Sequence, residues 1–388
     1  MSRGLTEEQV LFQATVRRLA EERIQPRAAA IDREDQFPWD LVELFQEYGL
    51  LGLGMPESCG GGGADMLTTA LAIEEVARVS GTASLLIAVQ HLGALPIMLA
   101  GTPEQQRRFL SPVARGDHLA AFALTEPEAG SDAGAARTKA VAGGGGWRIT
   151  GSKIFITHGS VAKTLVVFAA TEEEGRSQGM SAFVVPVGAA GLSVGHIEDK
   201  LGIRGSETAQ LQFDGVRVER DQLLGRVGEG FKIAMRTLDR SRLGIAAQAL
   251  GIAQGAFDAA HAHLAERRQF GRALKEFQGL QWMLADMATK IEASRQLLYT
   301  ACDVVEAAGF AIDSSADVTR MSAMAKLMAS DTAMQVTTDA VQLFGGYGYI
   351  RDYPVERMMR DAKITQIYEG TNQVQRIVIF RNLPEVAP

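Results

Sequence analysis

A chain of 388 residues is too long for one ordinary core, so two or three packed units are expected. Its 46% hydrophobic and 22% charged residues are those of a globular protein, and a formal charge of −7 gives no support to nucleic-acid binding, which usually needs a basic face. Cys59 and Cys302 stand far apart, outside any CxxC or Cys/His cluster, which argues against a disulfide framework or a metal site and suits a reducing compartment.

In chain order, the opening MSRGLTEEQV lacks an apolar signal core, and a cytoplasmic location is expected. Thr6 and Gln9 make a candidate capping box before an amphipathic run with Val10, Leu11, Ala14 and Leu19. Pro26 and Pro38 punctuate this region, and residues 60–63 form a glycine-rich connection. The stretch TASLLIAVQHLGALPIMLAG, residues 82–101, is long and apolar enough to raise a transmembrane question. Gln90, His91 and Pro96 interrupt it, so a buried helix pair is the preferred reading and no membrane contact is expected. Thr102, Pro103 and Glu104 open a further helix, with Pro at its first position.

From about Leu119 the pattern changes. TLVVFAA at 164–170 and SAFVVPV at 181–187 are short β-rich runs, and residues 210–218 alternate Leu211 and Phe213 with polar neighbours. Helical periodicity returns near Phe231. Phe277, Leu280, Leu284, Met287 and Ile291 form one apolar seam, continued by Ser294 and Leu298. With residues 230–266 before it and 314–344 after it, this pattern predicts long helices packed as a bundle. The fold class is therefore α+β: a helical domain over 1–118, a β domain over 119–228 and a helical bundle over 229–388.

No glycine cluster completes a nucleotide loop. Gly52-x-Gly54 is followed by Glu57, and Gly346-x-Gly348 by Arg351, where a dinucleotide fingerprint needs glycine. Gly151-Ser152-Lys153 lacks the P-loop order, and there is no HExxH, GxSxG or spaced acidic metal site. Four stretches remain: FALTEPEAGSD at 122–132, KIFITHG at 153–159, ERRQFG at 266–271 with Gln278, and QLFGGYGY at 342–349 followed by RDAKITQIYEGTNQVQR at 360–376. Singly each reads as a turn, a charged helix end or a helix connection. In FALTEPEAGSD, Thr125, Ser131 and main-chain groups freed by Gly130 can bond a flat heterocycle. By spacing, Asp239 and Arg242 read as an i,i+3 surface ion pair.

Together with LTEEQ, MPESCGGGGAD, EDKLGIRGSETA and TLDRSRLGIAAQALGIAQ, these stretches resemble the acyl-CoA dehydrogenase family, above all its short-chain members, over nearly the whole chain. The resemblance implies an N-terminal helical domain, a central β domain and a C-terminal four-helix bundle, with FAD as cofactor. It places Phe122, Leu124, Thr125, Gly130 and Ser131 along the flavin, with Phe155, Ile156 and Thr157 flanking its ring. Phe155 stands where most relatives carry Trp, so an aromatic ring is kept and the indole N–H is lost. The pyrophosphate and adenosine end falls to Arg267, Phe270, Gln278, Gln342, Leu343, Gly345 and Gly346, partly from a neighbouring subunit, and Thr371 and Gln373 complete the site. That sharing implies a homo-oligomer, a dimer or a tetramer of dimer pairs.

The resemblance further assigns Ser131, Asp239, Arg242, Tyr368 and Gly370 to the acyl-CoA substrate, with residues 86–95 beside the acyl end. Glu369, in IYEGTNQ, matches the catalytic glutamate. It would take the α proton while hydride passes from the β carbon to flavin N5, giving a trans-2-enoyl-CoA, and electrons would leave to electron-transfer flavoprotein in fatty acid metabolism. Burial should raise the Glu369 pKa. Relatives that place the base on the earlier helix have glutamate where this chain has Ser241. The competing readings are a flavin oxidase or monooxygenase on the same fold, and a catalytically silent acyl-CoA-binding protein.

Overall fold

The computed structural model describes residues 4–173, 175–310 and 315–384; residue 314, placed at the start of a helix from sequence, lies outside them. Thr6 and Gln9 close the expected capping box and start α1 (Glu7–Leu19). A π-helical turn leads into α2 (Gln25–Glu34), with Pro26 in its first turn, where no N–H is needed. Helices α3 (Trp39–Glu47) and α4 (Met66–Ala77) follow, the latter capped by Asp65.

The stretch read as a helix pair is one helix, α5 (Gly81–Ala100), with Pro96 inside it. An internal proline costs about 3 kcal/mol through a lost ladder bond and ring clash. Leu85, Leu86, Ile87, Val89, Leu95 and Ile97 are all buried along α5, each stabilising by about 1.5–3 kcal/mol, so burial outweighs the break. The helix is long and apolar enough to span a membrane, yet it is almost wholly enclosed by the protein itself. Its buried Gln90 is fully used: Nε2 donates to the carbonyls of Val113 (3.0 Å) and His118 (2.8 Å), and Oε1 accepts from the Ala120 N–H (2.9 Å). That side chain ties the helical domain to the first strand. Between them, α6 (Pro103–Gln105) begins after Thr102 as expected, with Thr102 and Gln105 closing a capping box, and α7 (Ser111–Ala114) completes the helical part.

The central part is an eight-stranded sheet. Its members are β1 (Ala120–Ala123), β2 (Lys139–Gly143), β3 (Gly146–Thr157), β4 (Thr164–Glu173), β5 (Arg176–Pro186), β6 (Leu192–Ile197), β7 (Thr208–Glu219) and β8 (Leu223–Leu224). The order is β6-β7-β3-β2-β4-β5-β8, with β1 paired in parallel to β4. The three β-rich runs read from sequence fall on β4, β5 and β7. After β1 the chain runs beside β3, and the Ile154 N–H donates to the Thr125 carbonyl at 2.9 Å.

The C-terminal part is built on α8 (Gly230–Glu266), which packs against α9 (Gln278–Ala308), α10 (Ala316–Phe344) and α11 (Val355–Thr365) to make the four-helix bundle. A last helix, α12 (Asn372–Arg381), lies on α10. The apolar seam is real: Met287, Ile291, Ser294 and Leu298 are buried on α9. Helix α8 also crosses α4 at Gly251, where a Cβ would come within 2.2 Å of the Glu74 carbonyl oxygen. Glycine is what permits that approach. A two-stranded hairpin, β9 (Arg268–Gln269) and β10 (Arg272–Ala273), joins α8 to α9.

Candidate active site

Where the three parts meet, a cleft of about 320 Å³ opens. One wall is the segment after β1, with Phe122, Leu124, Thr125, Gly130 and Ser131. The end of β3 contributes Phe155, Ile156 and Thr157. Met235, Leu238, Arg242 and Ile245 come from α8, Val89 and Leu92 from α5, and Tyr368, Glu369 and Gly370 from the turn between α11 and α12. Residues singled out from sequence at 122–131, 155–157, 242 and 368–370 thus share one cavity.

A buried ion pair fixes the first wall against the second. Lys153, fully enclosed on β3, donates from Nζ to Glu126 Oε1 (2.7 Å) and to the Leu124 carbonyl (2.9 Å). Glu126 also accepts the main-chain N–H groups of Arg137 (2.6 Å) and Thr138 (3.0 Å). The three bonds to the carboxylate hold it ionised and keep its pKa below the usual range despite burial. Phe155 sits at φ 58°, a conformation that costs a non-glycine residue about 1 kcal/mol or more, and 60% of its surface is exposed. An aromatic ring held in strained backbone at a cleft mouth is what a stacking surface requires.

The acidic centre is Glu369. Its backbone is also left-handed, at φ 53°, followed by Gly370 at φ 91°. Ser241 Oγ donates to Glu369 Oε2 at 2.6 Å. The residue is half-buried and opens on the cleft, but the surrounding protein strips water from the carboxyl and raises its pKa to about 7. The Ser241 hydrogen bond and the charges of Arg242 and Lys326 oppose that rise without cancelling it.

Asp239 and Arg242 are no surface pair. Both are buried, with Arg242 Nη1 on Asp239 Oδ1 at 3.0 Å, because α8 is the central helix and this turn faces inward. Asp239 also accepts from Arg236 Nη1 (2.9 Å) and Thr319 Oγ1 (2.7 Å), so both its oxygens are engaged. Asp239 stands behind the cleft, whereas Arg242 lines it.

The remaining candidates are not brought to the cleft within one chain. Arg267, Phe270, Gln278, Gln342, Leu343, Gly345 and Gly346 gather at the far end of the bundle. There His263 stacks on Phe344 at 4.1 Å between centroids, and the Arg267 guanidinium lies 5.2 Å from the Tyr347 ring centre. Phe270, at the hairpin tip with φ 50°, is 92% exposed. Thr371 caps α12 through the Val374 N–H (3.3 Å), and Gln373 is exposed on the first turn of that helix.

Two participants escaped the sequence reading. Ser241 was noted only for what it is not, a glutamate, and its bond to Glu369 depends on two segments 128 residues apart. Lys326 is fully enclosed on α10 and donates to the Gly370 carbonyl and to Asn372 Oδ1, both at 2.9 Å. Burial lowers its pKa to about 7. A lysine on the inward face, four residues beyond buried Ser322 and four before buried Ser330, was the available signal. Among the described residues no group of His, Cys, Asp or Glu could hold a metal ion.

Three family models cover this architecture: the acyl-CoA dehydrogenase N-terminal domain matches residues 6–117, the middle domain 121–216 and the C-terminal domain 228–383. The chain is 49% identical over 381 residues to the short-chain specific acyl-CoA dehydrogenase of Clostridium acetobutylicum, covering 98% of both. Among solved structures, butyryl-CoA dehydrogenase from Megasphaera elsdenii superposes with a TM-score of 0.92 at 42% identity, over 98% of this chain and 99% of that one. A chain from the structure of the electron transferring flavoprotein of Acidaminococcus fermentans reaches 0.93 at 48% identity, over 98% and 99%. The protein belongs to the acyl-CoA dehydrogenase family. It is an FAD-dependent oxidoreductase. The cleft suits that cofactor: Phe122, Leu124 and Phe155 offer apolar faces to a flat ring, and Thr125, Ser131 and Thr157 offer hydroxyls to its polar edge.

Proposed function

We propose that this protein oxidises a short-chain acyl-CoA across its α and β carbons, with Glu369 as the base. The observation that carries the reading is the Glu369 carboxyl opening on the cleft with its pKa raised to about 7, where a carboxylate is basic enough to take a proton yet ionised near neutrality. FAD, held along residues 122–131 and 155–157, supplies the acceptor for the β hydrogen and its electron pair. Glu369 accepts the α proton, and the product is a trans-2-enoyl-CoA.

The Glu369 main-chain N–H has no acceptor among the described residues and is free to bond the thioester carbonyl oxygen, stabilising the negative charge that grows there. Leu238, Ile245, Val89 and Leu92 keep the reacting carbons dry. The Tyr368 hydroxyl donates to Gln248 Oε1, and Gln248 Nε2 to the Gly81 carbonyl at 2.9 Å. A wall pinned in that way favours a short acyl group over a long one. Arg267 and residues 342–346 would reach the pyrophosphate and adenosine of FAD in a neighbouring subunit, and the electrons would pass to an electron-transfer flavoprotein.

Anaerobic titration with acyl-CoAs of increasing length and branching, followed by flavin absorbance, tests the substrate. Butyryl-CoA should bleach the flavin at the lowest concentration, with octanoyl-CoA much less effective. Bleaching by long chains alone would contradict the short-chain reading.

A further inference from the structure

The turn that carries Glu369 is held from beneath by a buried cation with no part in the reaction just described. Lys326 Nζ donates to the Gly370 carbonyl, and Gln375 Nε2 donates to the same oxygen (2.9 Å) and to the Glu369 carbonyl (3.1 Å). Asn372 closes the set: its Oδ1 accepts from Lys326 and from Ser330 Oγ (3.2 Å), and its Nδ2 donates to Asp331 Oδ1 (2.7 Å). Two successive residues at positive φ need such support, since Glu369 pays for its left-handed backbone where glycine would not.

We propose that Lys326 is a positioning residue for the acid–base chemistry: through the Gly370 carbonyl and Asn372 it fixes the turn that aims Glu369 into the cleft, and its charge favours the ionised form of that carboxyl. The inference rests on the reading of Glu369 as the base. Three features support it. Lys326 is completely enclosed, and a buried ammonium is kept only where partners repay its desolvation. Its two acceptors lie on the active-site turn and on the first residue of α12, so it joins α10 to both. The charged groups facing the pair are few: Arg242 from α8 acts on both Lys326 and Glu369, Asp331 on α10 acts on Lys326, and Ser241 bonds the carboxylate. Asp239 is taken up by Arg236, Arg242 and Thr319, and Asp331 also by Arg376.

The test reads Glu369 itself. In the purified holoenzyme, the carboxyl C=O stretch of Glu369 is titrated by infrared difference spectroscopy, with Glu369→Gln identifying the band. Lys326→Met keeps the stem and removes the charge; the Glu369 midpoint should move up by about one pH unit, since an opposite charge lowers a carboxyl pKa by about 1–3 units. Lys326→Arg should keep the midpoint within a few tenths of a unit if the charge is what matters. An unchanged midpoint in folded Lys326→Met would overturn the proposal. Should that variant fail to fold, the reverse measurement decides. In Glu369→Gln the Lys326 ammonium, followed by ¹³C NMR of the ε-carbon, should titrate lower than in wild type, and an identical midpoint would overturn the coupling. Neither readout depends on turnover, so failure here leaves Glu369 as the base untouched, and failure of that assignment leaves the coupling measurable.

Discussion

At the scale of single residues, the role proposed for Glu369 is a problem of keeping one carboxyl basic without making it permanently neutral. Desolvation pushes Glu369 up, and the Ser241 hydrogen bond pulls it back. Because the base must be ionised, flavin reduction by substrate should be fully developed above the Glu369 pKa and be lost as pH falls through about 7. Ser241→Ala removes a bond made to the ionised form, so its rate profile should shift to higher pH. Below neutrality the variant should be several-fold slower, and at alkaline pH the two should converge. A uniform loss at every pH would assign Ser241 to substrate placement. That Glu369 lines the cleft is observed, and the IYEGTNQ context had singled it out in the sequence. Lys326 and Ser241 were not legible there, because their roles exist only where α8, α10 and the turn before α12 converge.

At the scale of elements, periodicity was a good guide and punctuation a poorer one. The helix expected over 230–266 is α8 to the residue, and the three β-rich runs lie in β4, β5 and β7. Pro96 suggested a break in the apolar stretch that burial overrides, giving one helix where two were expected. What sequence could not convey is how the segment after β1 and β3 are locked together behind the cleft, since Glu126 and Lys153 are 27 residues apart and the stretches that hold them, FALTEPEAGSD and KIFITHG, do not show that the two side chains pair. Lys153→Met leaves the Glu126 carboxylate buried without its cation. Loss of one partner of a buried pair costs about 3–5 kcal/mol, so the urea midpoint should fall clearly and FAD should be lost faster on dilution. An unchanged midpoint would mean that the four-bond cluster is not what fixes this wall.

At the scale of the whole molecule, one chain gathers in one cleft the residues proposed for the flavin ring and the acyl group, but leaves the other expected cofactor contacts away from it, most of them exposed. Phe270 at 92% exposure, Tyr349 at 87% and Phe380 at 76% are large rings turned to solvent in an isolated chain, which fits surfaces covered by further copies. Light scattering should therefore give a mass at a multiple of 41.7 kDa. Arg267→Ala should weaken FAD retention while leaving thermal unfolding of the apoprotein nearly unchanged, because a charge-assisted bond to phosphate is lost at an exposed site. An FAD-saturated monomer would remove the basis for shared sites. The most direct test of the central claim is anaerobic stopped-flow reduction of the flavin by butyryl-CoA in wild type and in Glu369→Gln, with FAD content and acyl-CoA binding measured alongside. Glu369→Gln should bind both normally and reduce its flavin about 10²–10⁴-fold more slowly, the contribution of a positioned general base. Reduction at near wild-type speed would show that the α proton goes elsewhere, and that Glu369 is not the base.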